Sequence, residues 1–268
     1  MKIKNSIPIY GFAVLATLAL GFSSARAAVV VPPTNNDIFL GFRASGGDGA
    51  TTSYLVNLGQ YSQFRDAVPG STTTLSLGNI GLDLSSVFGS GWNTREDLSW
   101  GIFGVSNTAN PTVYASREQS TPGTTGTAWS TLDLTARGTT ASSIVSVLQG
   151  TNGYQGREST VNSAVAVLQP NTGNASSYNK QVATAGTNDF GSLSEWSSIE
   201  GSFADGAAGT ALDLYRIGSL GVTNPGFFTI DNAGVVSFTA VPEPSVSLVG
   251  AAGVFLLLTR RNRQLAAI

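Results

Sequence analysis

The chain has 268 residues, 41% of them apolar and only 11% charged, with a formal net charge of −2 and neither histidine nor cysteine. Lacking those two side chains, it can build no Ser-His-Asp or Cys-His catalytic arrangement, no thiol chemistry, no disulfide and none of the usual zinc-ligand sets. Between Ala28 and Val241 eight basic side chains stand against fifteen acidic ones, a net charge of −7 that the basic residues of the two ends conceal, and such an acidic body repels the phosphates of nucleic acid.

In chain order, residues 1–27 read as a signal peptide. Lys2 and Lys4 form a charged start, Ile7 to Phe22 is mostly apolar, and Ala25-Arg26-Ala27 is a small-x-small cleavage site that would leave Ala28 as the new N-terminus. The apolar stretch is shorter than the ~20 residues a permanent span needs.

Residues 28–240 read as one β-rich extracytoplasmic domain, long enough for a core of its own. Asp37 to Arg43 and Ser53 to Leu58 are apolar, β-prone runs around the glycine-rich stretch Ala44 to Thr52, the pattern of a hairpin with a long loop. Leu98 to Ser106 alternates, with Leu98, Trp100, Ile102 and Gly104 on one side, and Thr112 to Ser116 is placed to pair with it across Asn110-Pro111. In the middle, Thr140 to Leu148 and Glu158 to Leu168 repeat apolar residues at helical spacing and predict two short helices. Thr121 to Thr127 and Pro170 to Ser177 are polar loops. Phe227 to Ile230 and Val235 to Thr239 flank Asp231-Asn232-Ala233-Gly234, a short hairpin signal. The expected fold is mainly β: a single β-sandwich or open barrel-like domain with a small helical insertion. Leu-Asp-Leu recurs at 82–84, 132–134 and 212–214 without a regular period, and reads as strand edges with an outward Asp.

Residues 241–268 are a different kind of segment. Val246 to Leu258 is apolar apart from Ser247; as a helix its length of about 20 Å falls short of roughly 30 Å of hydrocarbon. Pro242 and Pro244 fix φ around Glu243 and keep the stretch through Ser245 extended, a form a protease or transpeptidase can grip. Arg260, Arg261 and Arg263 resist translocation and hold the tip on the cytoplasmic side while the N-terminal signal feeds the body outward.

This ordered set, Val241-Pro242-Glu243-Pro244-Ser245, a short apolar helix and an Arg-rich end, resembles the PEP-CTERM sorting signal of Gram-negative bacteria. The resemblance implies a transient encounter with the inner membrane and with exosortase, a membrane-embedded cysteine transpeptidase, in organisms that make exopolysaccharide. It covers the tail alone and implies no activity for the body.

In the body, Ser177 and Lys180 spell Ser-x-x-Lys, but the companion Ser-Asp-Asn and Lys-Thr-Gly motifs of penicillin-binding enzymes are absent. Glu195 and Glu200 bracket Trp196 and read as surface carboxylates beside a packing tryptophan, with a glycosidase as the alternative, one carboxyl as acid and the other as base or nucleophile. Asp48 and Asp231-Asn232 offer oxygens for one structural calcium, although no loop follows the Asp-x-Asp-x-Asp-Gly pattern. Trp92, Trp100, Trp129 and Trp196 read as core packing, since each buries a large apolar area, with a sugar-stacking face as the alternative. The reading that combines these observations is a non-enzymatic, exported surface or matrix protein without cofactor, associated with exopolysaccharide; a carbohydrate-binding module is the alternative.

Overall fold

A computed structural model describes residues 30–106, 109–119, 121–150, 153–183, 188–191, 193, 199–206 and 208–241. Ala25, Ala27 and Ala28 of the signal segment lie outside the described residues, as do Pro242, Glu243, Pro244 and Ser245, the tail arginines Arg260, Arg261 and Arg263, and Glu195 with Trp196. Among the described residues no helix is long and apolar enough to cross a membrane.

The described strands are β1 (Asp37–Ala44), β2 (Thr52–Gln60), β3 (Thr72–Thr74), β4 (Leu98–Ser106), β5 (Thr112–Glu118), β6 (Ala166–Pro170), β7 (Glu200–Ser202), β8 (Ala211–Gly218), β9 (Gly221–Ile230) and β10 (Val236–Ala240). They form one antiparallel sheet in the order β3-β10-β9-β8-β5-β4-β1-β2-β6, curled into a half-barrel. β7 pairs with Ser99–Gly101 of β4, the length of that strand that β5 leaves free. Of the two expected architectures, the described residues thus form a single curled sheet rather than two stacked ones. The hairpins β1–β2, β4–β5 and β9–β10 stand where the alternating runs predict them.

Period-two alternation sorts the side chains onto two buried faces. Ile38, Leu40, Phe42, Trp100, Ile102, Leu212, Leu214, Phe228 and Phe238 fill the inner face, closed by Phe64 of α1 (Ser62–Arg65) and by Ile80, Leu84 and Phe88 of α2 (Ile80–Phe88). Phe39, Leu55, Phe103, Val113, Tyr215 and Ile217 line the outer face, beneath Ile144, Val147 and Leu148 of α3 (Leu134–Gln149) and Tyr178 and Val182 of α4 (Tyr178–Ala183). Because both faces are covered, β1 reads as a nearly unbroken buried run.

Two expectations change. The helix expected over Glu158–Leu168 does not form: Ala166–Pro170 is β6, paired with Thr52–Val56 along the free edge of β2, and Val161, placed on the buried side of that helix, is 81% exposed. The open edge of β2 offers backbone partners that outweigh a short helix of weak propensity. Upstream, Thr160 and Asn162 are held by the Asp83 carboxylate and Ser163 Oγ donates to the Leu77 carbonyl at 2.6 Å, which fixes an irregular path.

Nor are the Leu-Asp-Leu triplets strand edges with outward Asp. Asp83 is buried in α2, where it accepts a 2.8 Å hydrogen bond from Tyr54 OH; Asp133 caps α3 by accepting from the Ala136 N–H at 2.7 Å. Asp213, on β8, is fully buried and accepts from Gln119 Nε2 at 2.7 Å and the Gly126 N–H at 2.6 Å, tying down the Thr121–Thr127 loop. Asp83 and Asp213 are inside because each answers several donors, the condition under which burying a charge is tolerated, whereas Asp133 caps its helix from an exposed position.

Candidate functional site

On the outer face, Gly41 of β1 and Gly101 of β4 are register partners. A Cβ on Gly41 would stand 2.6 Å from the Tyr178 ring, and one on Gly101 3.0 Å from its hydroxyl. Two glycines side by side therefore make a flat bed on which the ring lies, stacked against Phe103 at 5.1 Å. That bed aims the Tyr178 hydroxyl at Glu200 Oε1, 3.0 Å away, while Arg43 Nη2 meets Glu200 Oε2 at 2.6 Å and Arg43 Nε reaches both oxygens at 2.9 and 3.0 Å. Glu200 is therefore not the surface carboxylate expected from the sequence: its side chain is only 3% exposed. Burial pushes the Glu200 carboxyl upward in pKa, and Arg43 with the Tyr178 hydroxyl pulls against that shift; burial also drives the Tyr178 phenol well up, so it stays a neutral donor. Glu200 is thus the carboxylate of a closed polar knot.

Ser177 is fully buried and its Oγ accepts from the Thr172 N–H at 3.3 Å. Its place is the entry to α4, where the Gln181 N–H returns to its carbonyl at 3.1 Å. Trp92, Trp100 and Trp129 are 2%, 0% and 3% exposed, so the packing role holds for these three. Asp231 Oδ1 accepts from the Ala233 and Val235 N–H groups at 2.9 and 2.8 Å and shapes the β9–β10 turn. Among the described residues no three acidic side chains gather as a metal-ligand group.

At the end of the half-barrel where β1 and β5 begin and β4 and β8 finish, the rim mixes polar side chains with apolar ones such as Val105 and Leu148. A cleft of about 390 Å³ lies between the chain leading into β1 and α3, bounded by Asn35, Asn36, Tyr61, Ser106 and Gln149. Tyr61 is shared with the inner face, where it stacks on Tyr114 at 5.1 Å, with the Arg65 guanidinium 5.0 Å from its ring centre. Tyr114 and Arg216 are cross-strand partners of β5 and β8, so their side chains share the inner face. Tyr114 is 1% exposed and burial pushes its phenol up to about 12, with the neighbouring Arg216 guanidinium pulling the other way. Neither the Tyr114 hydroxyl nor Arg216 Nε, both enclosed, has a hydrogen-bond partner among the described residues. Outward from Nε, the guanidinium passes the β8–β9 turn: a Cβ on Gly218 would stand 3.7 Å from Arg216 Nη1.

At the opposite end of β5, Glu118 sits beside Asp205. Burial first and the Asp205 carboxylate second raise the Glu118 carboxyl to about 7, and its Oε1 is enclosed without a partner.

No family model, no curated protein and no solved structure matches this chain.

Of the residues singled out from the sequence, Glu200 alone enters one of these described clusters, and in a structural role. Arg43, Tyr61, Tyr114, Tyr178 and Arg216 escaped attention. The signal for the two arginines was phase: Phe39, Gly41, Arg43 and Leu212, Leu214, Arg216 each run along one face of a strand, so each arginine occupies a position that alternation assigns to the interior.

Proposed function

We propose that this protein is exported by a Gram-negative bacterium, processed at residues 241–268 by an exosortase, and retained at the cell surface or in the extracellular matrix as a non-enzymatic partner of exopolysaccharide. The observation that carries the proposal is the order of features at the two ends: the charged, apolar, small-x-small start, and the Pro-Glu-Pro stretch, short apolar segment and arginines at the finish. Supporting it, the described body is one folded sheet from β1 to β10, and the last strand ends at Ala240, directly before the proline-bracketed segment. Contact with saccharide is supported by the rim cleft, where an aromatic ring stands among amides and a hydroxyl. The glycosidase alternative draws less support, because Glu200 is held by Arg43 and Tyr178 and lacks the freedom of an acid or base that exchanges protons with substrate.

The test is to express the full chain with a C-terminal epitope beside a matching exosortase. Loss of the epitope and release of the body from the inner membrane is expected, and Glu243→Ala should leave the epitope attached. Mature surface protein that still carries its epitope overturns the sorting proposal.

A further inference from the structure

The inner face of the sheet contains an inconsistency that packing does not explain. A tyrosine hydroxyl and an arginine Nε, neighbours on paired strands, are both enclosed and both lack an acceptor. Enclosed polar groups without partners are uncommon, because each loses its hydration and gains nothing in exchange. The two cannot satisfy one another fully: the phenol oxygen could accept from Nε, but the phenol proton would still need an acceptor, and a guanidinium has none. The pair thus presents two adjacent donors, a phenol O–H and a guanidinium, to which a group with acceptor oxygens and a negative charge is complementary. None of the described carboxylates pairs with Arg216, whereas Arg43 and Arg95 bind Glu200 and Asp97.

We propose that the Tyr114–Arg216 pair is a binding site for the carboxylate of an acidic sugar, and that the adjoining cleft bounded by Asn36, Tyr61 and Gln149 takes the next sugar of the same chain. A carboxylate matches the planar fork of a guanidinium with two parallel acceptors, and the phenol proton adds a third bond. The guanidinium is the moving part. Arg216 is only partly buried, and its Nη1 lies beside Gly218 at the end of β8, where a Cβ would stand 3.7 Å from it. An anion arriving there draws the side chain outward by a rotamer change and uncovers the phenol behind it. Tyr61 joins the two subsites, with its ring bordering the cleft and stacked on Tyr114. The −7 charge of the body does not forbid this, since fields from charges more than about 8 Å away are largely screened at physiological salt; the one carboxylate in the cleft lining, Asp37, is already engaged by the Thr34 N–H and Asn57 Nδ2, each at 2.8 Å.

This inference rests on the exopolysaccharide reading for the identity of the ligand, and its test separates the two. The full chain, purified in detergent, is titrated calorimetrically with an oligoglucuronate, with an uncharged gluco-oligosaccharide of equal length, and with inorganic phosphate alone. The acidic oligomer is expected to bind at least roughly tenfold more tightly than the neutral one, the scale of a lost charge-assisted pair. Arg216→Gln and Tyr114→Phe should each weaken it severalfold, and Arg216→Lys should fall between, keeping charge without the fork. Ala141→Trp, which fills the cleft, should weaken the oligomer but not free glucuronate. Tyr114→Phe keeps the ring on Tyr61 and removes only an unpartnered hydroxyl, so it reports on binding even if the Arg216 variants fold poorly. Equal affinity for acidic and neutral oligomers, unchanged affinity in Tyr114→Phe, or phosphate displacing the oligomer at equal concentration would each overturn the inference. If exported protein co-purifies with exopolysaccharide equally with and without Arg216, the site fails and the broader reading stands. If these variants behave as expected on a protein found only in the cytoplasm, the reading fails and the site stands.

Discussion

Arg43 and Arg216 enter the same sheet from strands of similar composition, yet their surroundings are opposite. On the outer face Arg43 meets Glu200 through Nε and Nη2, and the Tyr178 hydroxyl also donates to Oε1, so both carboxylate oxygens have donors. On the inner face Arg216 stands beside Tyr114, a second donor, with Nε and the phenol both unmatched. The comparison teaches that burial of a charge does not by itself distinguish architecture from function. The balance of donors and acceptors does, because a closed set specifies geometry while an unclosed one presents donors that a ligand can engage.

Breaking the closed set should have the largest effect. Glu200→Ala leaves Arg43 buried without its counter-charge and is expected to lower stability by about 3–5 kcal/mol, read as a shift in the urea midpoint. The double replacement Arg43→Met with Glu200→Leu should cost less than that single change, because no uncompensated charge remains. A double variant worse than Glu200→Ala would mean that the pair contributes more than mutual neutralisation.

The glycine bed comes next. Gly41→Ala places a methyl against the Tyr178 ring and should cost about 1–3 kcal/mol through overpacking. An unchanged midpoint would show that the ring does not lie on that bed.

The two tyrosines sharpen the contrast most directly. Tyr178→Phe removes a hydrogen bond to a charged acceptor and should cost about 1.5–3 kcal/mol, whereas Tyr114→Phe removes a hydroxyl with no partner and should be neutral or stabilising by up to about 1 kcal/mol. Equal losses in both would show that the inner-face hydroxyl is satisfied after all.

The smallest effect concerns Glu118. Its folded pKa of about 7 lies above the ordinary 4.5, so the folded state holds a proton that the unfolded state releases. The contribution is fully present below about 4.5 and is lost as pH rises through about 7. The melting temperature at pH 8 should therefore lie below that at pH 5 by a margin that Glu118→Gln reduces; parallel profiles for the two proteins would remove Glu118 from the account.

Much of the fold was legible along the chain where alternation is strict. The apolar, β-prone runs of β1 and β4, the alternating burial of β10 and the turn at Asp231–Gly234 are legible from a few neighbouring residues. The expected helix over Glu158–Leu168 shows the opposite case. Val161, Ala164, Val165 and Leu168 fit a helical spacing, but the unpaired edge of β2 lies more than a hundred residues earlier in the chain and decides the outcome. The site was less legible still. Phase could have marked Arg43 and Arg216 as inward, but not what each would meet there, since Glu200 and Tyr114 reach them from other strands.

By itself the sequence determined the chemistry that is unavailable, the alternating strands, and the terminal segments with their order and charge. These are properties of residue type and spacing, read over a few neighbours. Tertiary structure alone decided that three tryptophans are packing, that Glu200 is locked, and that Tyr114 and Arg216 share an unmatched corner of the rim. Those outcomes depend on which distant strands become neighbours, and pairing energy is a property of the assembled sheet rather than of any one segment.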